Sequence, residues 1–158
     1  MTDSTAVHDT FEIRKKVARD PKAAFEHFSR PEKKARWYAY TGTHQVKTYT
    51  LDFRVGGEES LVAIMPEGTP IAGAELHWSS RIARIDPVQR IVFFQTLDLN
   101  GNRISAALVT ISFEENASGC EIVLVHQASY FEGADGPEMR RMGWEQLIEA
   151  AASAVEEQ

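Results

Sequence analysis

Five histidines, His8, His27, His44, His77 and His126, and one cysteine, Cys120, are the side chains of this chain best suited to acid–base, metal or nucleophilic chemistry. No two histidines stand at HxH or HxxxH spacing, so no single strand or helix offers a metal two imidazoles. No metal ligand set and no cofactor is expected. The sequence has no G-x-S-x-G nucleophile turn, no P-loop and no glycine-rich dinucleotide turn. Val55-Gly56-Gly57 reads as a hairpin bend, because a phosphate cradle would open a helix. Cys120 follows Gly119 at the start of a strand pattern, with no neighbouring motif to lower its pKa, and reads as a small buried hydrophobe. No residue is assigned a catalytic role.

Two histidines keep alternatives open. Strand alternation puts Glu75, His77 and Ser79 on one face and Leu76, Trp78 and Ser80 on the other. Glu75 and His77 are then either an acid–base pair in a cavity or the solvent side of a strand, and Leu76 and Trp78 opposite favour the solvent side. His126 shares a face with Ile122 and Leu124 near the end of the last strand. It is either a hydrogen-bonded strand-end histidine or an imidazole offered to a ligand, with general-base work as a further role.

The elements that position these groups follow from periodicity. Residues 1–9 read as a flexible tail and 10–158 as one domain. FEIRKKV alternates as a half-buried strand. Asp20-Pro21 and Pro31 open two short helices. Six strands follow, over about 45–53, 59–65, 75–85, 90–97, 104–113 and 120–129, with Asn100-Gly101 as a hairpin signal. Residues 137–155 form the last, long helix. Short connections imply an antiparallel meander, and a sheet this wide curls. The long helix covers its concave side and leaves a pocket beside the two short helices. Gly143, inside that helix next to Trp144, reads as a place where the backbone approaches a neighbour closely.

The net charge of −6 argues against nucleic acid as a partner. The basic clusters Arg14, Lys15, Lys16 and Lys33, Lys34, Arg36 read as solvated faces. No apolar run is long enough for a membrane span, and the polar first ten residues lack a signal core. One cysteine excludes an internal disulfide, which points to the cytoplasm. Apolar content in residues 91–97 hints at a homodimer.

The order of these elements resembles the START-like (SRPBCC) superfamily, and within it the branch homologous to the C-terminal domain of the activator of the heat-shock chaperone ATPase. The resemblance is carried by PKAAF (Pro21 to Phe25), Trp37, Val55-Gly56-Gly57, Ile85-Asp86-Pro87 with Ile91-Val92-Phe93, VTISF (Val109 to Phe113), His126 and Gly143-Trp144. It implies an α+β helix-grip fold, a curved seven-stranded antiparallel sheet around the long C-terminal helix. It also implies a cavity for a hydrophobic or amphipathic small molecule. Some relatives are polyketide cyclase-like enzymes or dehydratases, so an enzyme using a cavity histidine is the alternative, and a chaperone-activating interaction protein is the second.

Aromatic residues on the elements around the concavity are the expected lining: Trp37, Tyr38 and Tyr40 after the second helix, Phe53, Trp78 and Phe93 from the strands, and Trp144. Met65 and His126 complete the candidate ligand-binding set, and Phe25, Phe28 and Phe113 are assigned to the core.

Overall fold

A computed structural model of the protein describes residues 5–157. The first strand, β1 (Val7–Val17), leads into α1 (Pro21–Ser29) and α2 (Pro31–Tyr38). Six strands follow: β2 (Gln45–Leu51), β3 (Glu58–Ile64), β4 (Glu75–Asp86), β5 (Arg90–Leu99), β6 (Asn102–Asn116) and β7 (Gly119–Tyr130). The last element is α3 (Pro137–Glu156). Of the tail expected over residues 1–9, residues 1–4 lie outside the described residues. Val7 to Asp9 already belong to β1, because they pair with Tyr130 to Ala128.

The sheet has the order β1-β7-β6-β5-β4-β3-β2, and every pairing is antiparallel. This is the helix-grip arrangement, with the sheet curved around α3. Strands β2 to β7 are a simple meander. The first strand pairs with the last, so the chain must pass from one edge of the sheet to the other between β1 and β2. The two short helices make that passage across the concave side.

Local chemistry sets the corners. The Asp20 carboxylate accepts from the Ala23 N–H at 2.9 Å, and Pro21 occupies the first turn of α1. Asn100 and Gly101 both have positive φ, 49° and 82°, the primed turn that matches the strand twist between β5 and β6. Register shifts at Val46/Thr48, Ile82/Arg84 and Leu97/Asp98 mark bulges that bend the sheet.

The core lies between sheet and helices. Phe25 and Phe28 meet Phe113 edge-on at 5.6 and 5.2 Å, and Phe28 lies 4.7 Å from Trp37. The buried stripe of α3 is Arg140, Trp144, Ile148, Ala151, Ala152 and Val155. Trp144 points inward, 4% exposed.

Gly143 corrects an expectation. It lies on the solvent side of α3, and an added Cβ would meet nothing within 4 Å. The inward stripe runs through Arg140 and Trp144, and Gly143 is rotated about 100° away from Trp144 on the helix. The close approach is instead at Gly57, where a Cβ would collide with the carbonyl oxygens of Asp52 and Arg54. Here the β2–β3 loop folds back on β4. Gly56 N–H donates to the Ile82 carbonyl at 2.8 Å, and Ile82 N–H donates to the Gly57 carbonyl at 3.0 Å.

Thermal melts check this assignment. Gly143→Ala should raise stability by about 0.5–1 kcal/mol through helix propensity, and Gly143→Leu should also be tolerated. Gly57→Ala should cost more than about 1 kcal/mol. Val88, a β-branched residue at φ 69° after Pro87, closes a turn in which Gln89 N–H donates to the Asp86 carbonyl. Val88→Gly should therefore stabilise by about 1 kcal/mol.

Candidate functional site

The register places the inward-facing side chains of the sheet in transverse rows. One row runs Ile91, Ile111, Leu124, Ile13 across β5, β6, β7 and β1, and packs as ordinary core. The next runs Phe93, Val109, His126, Phe11. Beyond it the pattern changes. From β3 to β7 the row reads Glu59, Ser80, Gln95, Ala107, Ala128, with no large apolar side chain. The row after that reads Leu61, Trp78, Leu97, Ser105, Tyr130. The concave face is thus apolar toward α1, is crossed by one polar or small row, and beyond it is apolar on β3 to β5 but carries the Ser105 and Tyr130 hydroxyls on β6 and β7.

At the β3 side of the polar row, α2 supplies partners. Lys34 Nζ donates to Glu59 at 2.8 Å, with the two side chains 7% and 4% exposed. The Tyr49 hydroxyl donates to Glu59 Oε2 at 2.6 Å, an oxygen that also lies 2.8 Å from Lys34 Nζ. Burial and the Glu59 charge push the Tyr49 phenol far above its ordinary value. The Lys34 ammonium lies 4.5 Å from the Tyr38 ring and 5.5 Å from the Phe93 ring. The Gln95 amide donates to the Tyr38 hydroxyl and the Ser80 hydroxyl, both at 3.1 Å. A cavity of about 10 Å³, room for one water, lies beside Lys34, Glu59 and Ser80, with Phe53 and Phe93 in its wall.

The β7 side differs, because its polar groups lack partners. His126 is fully buried, 0% exposed, and stacks on Phe11 at 4.6 Å. Among the described residues neither ring nitrogen has a hydrogen-bond partner. Its own backbone carbonyl lies near enough to raise the imidazole pKa slightly, but not in hydrogen-bonding geometry. Burial first, and the Arg140 charge second, push the pKa down to about 4. The hydroxyls of Ser105 and Tyr130, opposite each other across β6 and β7, are also buried without a partner. Burial raises the Tyr130 phenol to about 12. Above them, Arg140 donates to both oxygens of Asp135 at 2.8 and 2.7 Å and lies 5.2 Å from the Tyr130 ring. Trp144 joins the two sides, 6.3 Å from Tyr38 and 6.4 Å from His126.

The expected lining set divides. Tyr38, His126 and Trp144 come together. Phe53 and Phe93 share the water-sized cavity. Met65 and Trp78 pack on a satellite cluster of Leu76, Leu97 and Ile104. Trp37 is buried and spans the two short helices, its indole N–H donating to the His27 carbonyl at 2.7 Å. Tyr40 stands apart, 65% exposed. His77 lies within 2.8 Å of the Ser60 hydroxyl and 3.0 Å of the Ser79 hydroxyl, while Glu75 pairs with Lys47 at 3.1 Å. Each of the two thus has partners other than its companion. Among the described residues no group of three or more His, Cys, Asp or Glu could hold a metal.

Several site groups escaped sequence reasoning. Lys34 is buried, not on a solvated face, because Glu59 needs its charge. Glu59, Ser80 and Gln95 have the same strand parity as Leu61, Ile82 and Phe93, and a polar residue at core parity was the available signal. Ser105, at the parity of Ala107 and Val109, and Arg140, one helical turn before Trp144, carried the same mark.

The family model described as Activator of Hsp90 ATPase homolog 1-like protein matches residues 18–156. No curated protein matches. The structure resembles that of an uncharacterized protein from Rhizobium leguminosarum at 28% identity and TM-score 0.91, covering 99% of this chain and 100% of that one. A protein from Rhizobium loti is likewise 28% identical, with TM-score 0.82 and coverage of 95% and 99%. An AHSA1-like protein from Aeromonas hydrophila, 18% identical over 94% and 92% of the chains with TM-score 0.68, shares the fold. No helix among the described residues is long and apolar enough to cross a membrane.

Two stability measurements check the site. Lys34→Met should cost about 3–5 kcal/mol by leaving the buried Glu59 with the Tyr49 hydroxyl but without a cation, and the double change with Glu59→Leu should recover most of it. The folded-state pKa of His126 lies below the ordinary 6.5, so its contribution is complete above pH 6.5 and is lost as pH falls toward about 4. The loss is on the order of 3 kcal/mol, and His27, also shifted down by burial, adds to it. His126→Phe should flatten that acid slope in pH-dependent denaturant melts.

Proposed function

The chain belongs to the Activator of Hsp90 ATPase homolog 1-like family, and from that premise we propose that it binds a small amphipathic molecule against the concave face under the N-terminal half of α3. The fold is that of a ligand-binding domain family generally. One observation carries the finer reading: His126 is wholly buried and neither of its ring nitrogens is partnered among the described residues, and the Ser105 and Tyr130 hydroxyls, two rows further along the same face, share that condition. Each unpartnered buried group costs about 1–3 kcal/mol, and an apolar side chain of similar shape would avoid the cost. A molecule with an apolar body and a few hydrogen-bonding atoms offsets it on binding.

The wall chemistry supports the same reading. The paired Ala107 and Ala128 form a low floor between the His126 and Tyr130 rows. Trp144 and Tyr38 supply flat apolar surface, and Trp78, Met65, Phe53 and Phe93 extend the apolar side. Trp37 and Tyr40 belong outside the binding surface.

The cyclase- or dehydratase-like alternative loses its best residue. A general base works best with a pKa near the working pH, and burial pushes His126 down to about 4, away from it. Chaperone activation has only the family's name behind it. Cys120, buried and with its thiol pushed up to about 11, fits an unreactive thiol in a reducing compartment such as the cytoplasm. A homodimer, where one forms, has Phe94 to cover, 54% exposed on the convex face.

Titration with the uncharged dye Nile red tests the binding reading. Saturable binding with a blue-shifted emission is expected. His126→Phe should weaken it by roughly 0.5–1.5 kcal/mol, the worth of one neutral hydrogen bond, while raising the melting temperature. Native mass spectrometry on protein purified from its own host should show a bound small molecule. No dye binding and no adduct would overturn the reading.

A further inference from the structure

The binding reading leaves the charge of the ligand open. Arg140 bears on it. Its side chain is 9% exposed, an unusual depth for a cation. It grips Asp135 through two short bonds and lies on the face of Tyr130. Its field reaches His126, whose imidazole it helps to keep neutral. Beside the guanidinium stands the Tyr130 hydroxyl, with the Ser105 hydroxyl opposite it across β6 and β7, and among the described residues neither has a partner, so both are free to donate. The N-terminal end of α3 adds positive potential from its backbone amides. A cationic ligand head would be repelled here, and a neutral one would leave donors unused.

Asp135 shows which group the site accepts. It presents a carboxylate to Arg140 in the fork geometry that guanidinium favours. Yet Asp135 is held only by the segment between β7 and α3, where Gly133 and Gly136 both have positive φ, and its side chain is 27% exposed. Exchange of this carboxylate for one on a ligand keeps Arg140 paired throughout, so the buried cation is never left alone.

We infer that the ligand is an amphipathic anion, a carboxylate or similar oxyanion on an apolar body, whose charged end takes the place of Asp135 on Arg140 and accepts from the Tyr130 and Ser105 hydroxyls. The inference rests on the binding reading and assigns its charge. Asp135 is then an internal competitor that holds the site closed against water when no ligand is bound.

A dansyl-labelled fatty acid and its methyl ester, titrated by fluorescence into the full chain, separate the two levels. Wild type should bind the acid at least about tenfold more tightly than the ester, the usual worth of a charge-assisted hydrogen bond over a neutral one. Arg140→Gln should abolish that preference and leave ester affinity nearly unchanged. In Asp135→Asn the acid should raise the melting temperature more than it does in wild type, because it supplies the missing carboxylate. Equal binding of acid and ester by wild type overturns the anion inference and leaves the binding reading intact. Failure of both probes to bind overturns both. Should Arg140→Gln fail to fold, Asp135→Asn decides alone: an acid that stabilises it no more than wild type overturns the inference.

Discussion

Glu59 projects from β3 into the concave face, and a carboxylate out of water cannot stay charged alone. The fold has to bring a cation to it. Lys34 answers, and since it sits on α2 the pairing fixes where that helix crosses the sheet. Once α2 is pinned there, Tyr38 reaches Gln95, and through it Ser80. The Tyr38 ring then forms the surface that Trp144 of α3 approaches. A buried ion pair adds little net stability, but breaking it is expensive, so the pair works as a locator rather than as glue.

The architecture was legible in the sequence because its signals are local. Asp20-Pro21 opens a helix, Asn100-Gly101 demands a primed turn, and the alternation in RIVFFQTL needs a strand with Ile91, Phe93 and Leu97 inside. The inward direction of Trp144 followed from helical spacing. The reading of Gly143 failed because a glycine beside a tryptophan says nothing about which way the glycine faces. The site was harder. His126 could be named from its strand parity, but its lack of partners depends on what Phe11, Trp144 and Arg140 bring to it from other elements. Lys34 looked like one of several solvated cations, and only the cross-sheet register brings Glu59 beneath it.

The two sides of the polar row divide the labour. Toward β3 the buried polar groups satisfy one another, Lys34 and Tyr49 with Glu59, Gln95 with Tyr38 and Ser80. That side is rigid and has room for about one water. Toward β7 the groups are left open, and only Arg140 is answered, by Asp135. A protein selected for stability alone would fill that end with leucine and phenylalanine. Its polar character is a standing cost, and the complete network next to it supplies the rigid frame against which that cost is tolerable.

The pairing of β1 with β7 also bears on how the chain is made. Val7 lies opposite Tyr130, so β1 finds its partner only when β7, made more than a hundred residues later, is complete. Until then the β1 residues Phe11, Ile13 and Val17 have no sheet to cover them, and α1 and α2 have no concave face to cross. The meander from β2 to β7 needs only short-range closures and can assemble as it emerges, whereas β1 must wait for a loop spanning nearly the whole chain to close. An amphipathic strand therefore stays exposed while everything between β1 and β7 is made, and Glu12, Arg14 and Lys16, charged at every second position, keep that waiting strand from pairing with others.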